Sequence, residues 1–426
     1  MLNEAPLPHR ESQFATMRER NFVQHDKVFL GLHGTFAVRH AQLTMDRKML
    51  LQLIRNATLR LRYAGHTLLI DPDLAAKHSR PSFTGRSPTP PMARSYILNE
   101  SHPRQPGLHL PSAAADWKGL SLDTLCPGRY TLIGATQIIV EQQTDYQHLV
   151  IADVPILGRG LFLDGNVQLL AHGEQAYHER LALLPLLAHE RPEQVLILGG
   201  GDGCAAREAL RDPRVQQVTL VELDAGVIDA CAAHLGDLNR GSLRDTRVNI
   251  EIADARAFLR HAPLGDYAVV IVDFLDAYTS EDLALYNQVL ADLAARIAPS
   301  TLVSLHGDLA NPPYWSALRL RAIAARHFAQ VALHSAYVGC YQSEWGFLLA
   351  GHTGEWADHL AAQQIQQHAA ALAAPLQTIV PELFPAALRL PPQLAEPAAL
   401  IADNPFQLPE DHYPETRWIG LFDDGQ

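Results

Sequence analysis

The run QVLILGGGDG at residues 194–203 constrains this chain more than any other. It is apolar after its first residue, as a strand covered on both faces must be. It then closes on glycines that let a backbone pass tightly from strand into helix. A helix is expected over about 204–211, followed by strands at 217–223, 248–252 and 267–272 and helices at 225–234 and 255–260. That alternation implies an α/β fold, a Rossmann-like doubly wound parallel sheet. The runs 302–306, 330–334 and 346–349 add further strands.

The flanking segments read differently. The runs TLIGATQIIVEQ, YQHLVIADV and GRGLFLDGNVQLL are short, rich in β-branched or aromatic residues, and closed by Gly or Asp. They predict a small antiparallel β domain over 131–173. Helix signals run from Glu174 to Ala188, with Leu181, Leu184, Leu186 and Leu187 on the apolar face, and open a catalytic domain over 174–352. The tail, 353–426, is Ala- and Gln-rich and helical, then Pro-rich. Residues 1–130 form an unassigned N-terminal extension. Within it, 50–72 reads as two strands turning at Ala64-Gly65, and 75–129 reads as an irregular, Pro- and Ser-rich linker. The stretch 50–72 resembles the opening hairpin of metallo-β-lactamase-fold proteins. Their HxHxDH motif is absent downstream, so no metal ligand is expected.

At 426 residues the chain exceeds one ordinary domain. Lys plus Arg number 34 against 46 Asp plus Glu, a net charge of −12 that disfavours nucleic acid and is compatible with cationic substrates. Cys126, Cys204, Cys231 and Cys340 are scattered, with neither metal-ligand spacing nor a disulfide framework. The first 20 residues lack an apolar core of the secretory kind, and no run approaches the length of a membrane span. The expectation is a cytoplasmic protein with no membrane partner.

The chemistry gathers at strand ends. The turn holds Gly199, Gly201 and Gly203, while Cys204 stands where a dinucleotide fingerprint has its third glycine. Glu222 follows about 20 residues on, at the end of the next strand, where an acid can accept both ribose hydroxyls. Such a turn also serves packing alone, but GxGxG with this acid fits an S-adenosyl ligand better than NAD. Asp254 in IADARAF stands where a carboxylate could meet an adenine amino group, or where it would cap a short helix. Asp273 and Asp276 follow the fourth strand in IVDFLDAY. Ligands of open α/β sheets bind beyond the carboxyl ends of the strands. Acids at four such ends, Asp202, Glu222, Asp254 and Asp273, make a crevice suited to a sulfonium and to amines.

From about 131 to 394 the chain resembles the spermidine/spermine synthase (polyamine aminopropyltransferase) family. The residues that carry this are TDYQHLVI, GRGLFLDGNVQ, EQAYHE, LILGGGDG, VTLVELD, VNIEIADARAFL, YAVVIVD, EWGFLLAG and the tail VPELFPAALRLPPQL. The combination of LFLDGNVQ and YHE before GGGDG is specific, since methyltransferases with the same turn lack it.

The resemblance implies transfer of the aminopropyl group of decarboxylated S-adenosylmethionine to putrescine or another polyamine, with release of methylthioadenosine. The donor is then a co-substrate, no resident cofactor or metal is needed, and a homodimer or homotetramer is implied. Gln147 and Glu222 would hold the nucleoside beside the glycines, with Asp254 and Ala255 near the adenine. Tyr177 and His178 would contact the amine substrate, and Asp202 would bind the aminopropyl amine. Asp273 would be the catalytic proton acceptor, with Asp276 and Tyr341 positioning the acceptor amine.

The chain departs from the family where DSSDP is usual. Here the loop reads DFLDAYTSEDL, without prolines and with Phe274 and Leu275 for small polar residues. Gly173 also replaces an Asp. Two other readings stay open at this point. One is an S-adenosylmethionine-dependent methyltransferase on the same core, against which Asp202 and YHE count. The other is a non-catalytic polyamine-binding homologue, which the altered loop keeps alive.

Overall fold

The computed structural model describes residues 117–126, 129–310, 315–353, 362–381, 392–408 and 416–420, together with the backbone of five strands between 41 and 99. It divides into two units, Met1–Ala115 and Asp116–Gln426.

The first unit is an antiparallel sheet in the order β1 (Ala41–Asp46), β2 (Met49–Arg55), β3 (Thr58–Tyr63), β4 (His66–Ile70), β5 (Leu98–Asn99). The Leu/Arg alternation of LRLRY has the strand period of two. The expected pair of strands corresponds to β3 and β4, which flank residues 64–65. The stretch also contributes β2, so 50–72 carries three strands rather than two. The turn at 64–65 and most of the expected linker lie outside the described residues.

In the second unit, β6 (Gly119–Cys126) arises within the stretch expected to be irregular, and pairs with β7 (Arg129–Ala135). Its other neighbour is β19 (Thr416–Gly420), a strand in the tail that sequence patterning did not reveal, so the two ends of this unit meet in one three-stranded sheet. The run read as one strand over 131–142 breaks at Thr136. Beyond it, β8 (Gln137–Gln143), β9 (His148–Val154), β10 (Gly158–Leu163) and β11 (Asn166–Leu170) form a separate antiparallel sheet.

The helical run that follows opens as α1 (Gln175–His178), passes through a π turn (Glu179–Leu183) and ends as α2 (Leu184–Ala188). Such π segments are rare and cluster at functional sites. Next come β12 (Gln194–Gly199), α3 (Cys204–Leu210), β13 (Gln217–Glu222), α4 (Ala225–His234), α5 (Gly236–Asn239), β14 (Val248–Ile252), α6 (Ala255–His261), β15 (Val269–Asp273), α7 (Ser280–Arg296), β16 (Leu302–Asp308), α8 (Ser316–Ala324), β17 (Gln330–Val338) and β18 (Ser343–Gly351). The tail adds α9 (Ala362–Ala370) and α10 (Ala395–Asp403).

The large sheet runs β14-β13-β12-β15-β16-β18-β17, parallel through β16. The last two strands are antiparallel, because the short turn between them cannot carry a parallel crossover. Val195–Leu198 and Val269–Val272 have no solvent exposure, as the apolar runs require. α7 is set by a capping box: Thr279 Oγ1 accepts from Asp282 N at 3.0 Å while Asp282 Oδ2 accepts from Thr279 N at 2.9 Å. It buries Leu283, Tyr286, Val289, Leu290 and Leu293 on the sheet. The chain order reverses at β12 and β15, where Gly199 is paired with Asp273, and a crevice must open beyond those two strand ends.

Among the described residues no helix is long and apolar enough to cross a membrane.

Candidate active site

A cavity of about 790 Å³ opens at that reversal point. Its walls include Gln147, Tyr177, His178, Gly199, Gly201, Asp202, Glu222, Asp254, Ala255, Asp273, Asp276 and Tyr341. The structure therefore brings together the residues singled out in the sequence, with one exception. Gly203 is not in the wall. It caps α3 at φ +82°, and a Cβ there would meet Leu243 Cγ at 2.7 Å, so its smallness serves packing.

The turn needs its other glycines for close approach. A Cβ on Gly199 would overlap the backbone of Asp273, and one on Gly201 would stand 2.8 Å from Glu222 Oε2. Glu222 is fixed by the same closeness. Its Oε2 accepts from Gly201 N at 3.2 Å and its Oε1 from Asp224 N at 3.0 Å, while burial pushes its carboxyl above the ordinary range. Gln147 Nε2 donates to Asp224 Oδ2 at 3.0 Å, and Asp224 also caps α4. Asp254 caps α6 through Ala257 N and pairs with Arg256 at 2.8 Å, which holds its carboxyl low. The cap expected of Asp254 is present, and the residue also stands in the cavity wall.

Asp273 lies at the centre. Tyr177 donates its hydroxyl to Asp273 Oδ1 at 2.6 Å. Burial, then the charge of Asp202, push the Asp273 carboxyl up to about 6, against the opposing pull of the His178 cation and the Tyr177 hydrogen bond. Burial and the Asp273 charge raise the Tyr177 phenol well above its usual range, so it stays a donor.

His178 faces two carboxylates rather than open space. Its Nδ1 is 2.6 Å from Glu174 Oε2 and its Nε2 is 3.9 Å from Asp202 Oδ1. Burial opposes its protonation, but the Glu174 hydrogen bond and charge prevail and lift it to about 9. Glu174 is in turn gripped by both Arg207 nitrogens at 2.9 Å. Tyr341 donates its hydroxyl to the carbonyl of Gln168 at 2.6 Å, so the ring is what it offers the cavity, 5.8 Å from Tyr177 and 4.6 Å from Trp345.

The altered loop is held without prolines. Phe274 stacks on Tyr286 at 4.9 Å, and the Tyr286 hydroxyl donates to Leu275 O at 2.7 Å.

Residues 174–308 match the family model described as the spermine/spermidine synthase domain. The chain is 33% identical over 240 residues to polyamine aminopropyltransferase 2 of Pseudomonas aeruginosa, covering 54% of this chain and 66% of that one, just under two thirds. It is 32% identical over 264 residues to the polyamine aminopropyltransferase of Synechococcus sp. strain JA-3-3Ab, covering 58% of this chain and 83% of the relative. The chain belongs to the polyamine aminopropyltransferase family. Spermidine synthase from Thermotoga maritima shares the fold with a TM-score of 0.57 at 24% identity, covering 70% of this chain and 96% of that one. Within the family frame, Trp345, Glu174, Arg207 and His306 are additions from the structure. Glu174 and Arg207 lie 33 positions apart, and His306 is a lone histidine in an apolar strand, so neither spacing nor periodicity marked them.

Proposed function

We propose that this cavity binds decarboxylated S-adenosylmethionine beside an amine, putrescine or another polyamine, and transfers the aminopropyl group from one to the other. The observation that carries this reading is the convergence of Asp202, Glu222, Asp254 and Asp273 on one cavity, with Asp273 held by the Tyr177 hydroxyl. An amine attacks the methylene beside the sulfonium. A carbon–nitrogen bond forms, the carbon–sulfur bond breaks, and its electron pair stays on sulfur as methylthioadenosine leaves. The sulfonium needs no acid to depart. The amine is the obstacle, because with a pKa of about 10.4, as for Lys, it is protonated at neutral pH. Asp273 receives the proton, and alignment of the two reactants supplies much of the remaining acceleration.

The base must be ionised to act. With the Asp273 carboxyl at about 6, activity rises as pH climbs through about 6 and is lost below it.

Asp202 is read as the group that binds the donor's propyl amine and rejects the carboxylate of ordinary S-adenosylmethionine. Its Oδ1 accepts from Cys204 N at 2.6 Å, which fixes the carboxylate at the mouth of the turn. Asp202→Asn is expected to narrow the preference for the decarboxylated donor by roughly tenfold or more, since like-charge repulsion in such a site costs several kcal/mol. Competition binding of the two donors measures this. An unchanged ratio removes Asp202 from that role.

A further inference from the structure

His306 stands beside the base and none of the chemistry above uses it. Val272 of β15 is paired with Leu305 of β16, so Asp273, the last residue of β15, stands beside His306 of β16. The imidazole is buried, with its Nε2 3.9 Å from Asp273 Oδ1 and its Nδ1 3.8 Å from Asp276 Oδ1. Trp345 Nε1, from the neighbouring strand β18, donates to His306 Nδ1 at 3.4 Å. An indole nitrogen only donates, so Nδ1 is the acceptor and the ring proton sits on Nε2. That Nε2 is buried and has no hydrogen-bond partner among the described residues. A buried donor without a partner is costly and calls for a role.

The two oxygens of Asp273 are thereby made unequal. Oδ1 carries the Tyr177 hydrogen bond and faces His306, whereas Oδ2 lies against the glycine turn, 3.1 Å from where a Gly200 Cβ would stand. We propose that His306 is a positioning residue for Asp273: its Nε2–H, oriented by Trp345, is a neutral donor held for Oδ1, keeping the carboxylate ionised and leaving Oδ2 to take the proton from the amine. An uncharged donor does this without repelling a cationic substrate. Burial and the nearby His178 cation hold the imidazole at about 3, so it stays neutral throughout the working range. The groups around Asp273 that share in its ionisation are Tyr177, His178, Asp202, Glu222, Asp276 and Tyr341. Of these, Tyr177 is the other donor to Oδ1.

The inference rests on Asp273 being the base of the proposed transfer, but its test does not need turnover. The full chain carries ¹³C-carboxyl-labelled aspartate, with the Asp273 signal assigned by its loss in Asp273→Asn. His306→Leu is expected to move the Asp273 titration up by about one pH unit from the wild-type value, and His306→Gln, which keeps an N–H donor, to restore most of it. Tyr177→Phe, removing the other donor, moves the titration the same way. In turnover, His306→Leu lowers kcat/KM at pH 6 by about five- to tenfold and leaves the plateau near pH 9 within about twofold, since the base is then ionised in both proteins. A titration that does not move overturns the proposal, as does a loss equal at all pH values. If His306→Leu fails to fold, Trp345→Phe is read instead. It leaves the imidazole but frees Nδ1, and an unmoved titration there overturns the proposal equally. If no protein in the series turns over any amine, the proposed transfer fails while the titration still decides the role of His306.

Discussion

Asp273→Asn leaves a folded protein whose turnover at neutral pH is lower by about 10²–10⁴-fold. Asn is nearly isosteric, can still accept from the Tyr177 hydroxyl, and keeps the end of β15 beside Gly199. Only the proton acceptor is removed, so nucleoside binding through Glu222 and the glycine turn should survive. Rescue with rising pH follows, because free amine becomes available as solution pH nears about 10. Asp276→Asn, altering a more exposed carboxylate of the same loop, affects amine KM more than kcat. Methylthioadenosine release from about pH 7 to about pH 10 for both variants separates these effects. Turnover of Asp273→Asn near the wild-type rate at neutral pH places the base elsewhere.

Arg207→Met destabilises the second unit by about 3–5 kcal/mol, the usual loss when one partner of a buried ion pair is deleted. Arg207 holds Glu174 through two hydrogen bonds and Glu208 through a third at 2.8 Å, and all three residues are buried. Arg211 extends the cluster to Glu208 and Glu179, and Glu179 accepts from the backbone of Gln377 and Thr378. The loss thus reaches from α3 into the tail and to His178 beside Asp202. Glu174 is held at about 2, where the hydrogen bonds of His178 and Arg207 outweigh burial. Its stabilising contribution is present above about pH 4.5 and lost as pH falls through about 2. That of His178, held at about 9, is present below about pH 6.5 and lost as pH rises through about 9. The deficit of Arg207→Met should therefore be present wherever Glu174 is ionised, above about pH 4.5. Urea unfolding at about pH 5.5 measures it, and a midpoint equal to wild type there contradicts the network's role.

Much of this was legible in the residues. The buried run of β12, the glycines that follow and an acid at each of the next strand ends report local demands: a strand covered on both faces, a tight turn, and carboxylates in a crevice. Those demands depend on neighbours in sequence, so periodicity and spacing reveal them. What escaped depends on distant partners. β6 and β19 are each short and become a sheet only by meeting across nearly 300 residues. The DFLDAY loop looked compromised without its prolines, but Tyr286, one turn and a half into α7, anchors it by stacking and by a hydrogen bond. His306 carried no signal in the sequence, because Trp345, which donates to it, comes from a strand 39 positions on.

The central claim is aminopropyl transfer, and the most direct measurement is product formation by the purified full chain. The protein is supplied with decarboxylated S-adenosylmethionine and, in parallel, putrescine, longer polyamines and monoamines, with ordinary S-adenosylmethionine as a second donor. Methylthioadenosine and aminopropylated amine are quantified together by mass spectrometry. The expected result is equimolar methylthioadenosine and aminopropylated product with at least one polyamine, from the decarboxylated donor only, and lost in Asp273→Asn. Release of S-adenosylhomocysteine and a methylated amine from the ordinary donor, or no product from any pair, would contradict it.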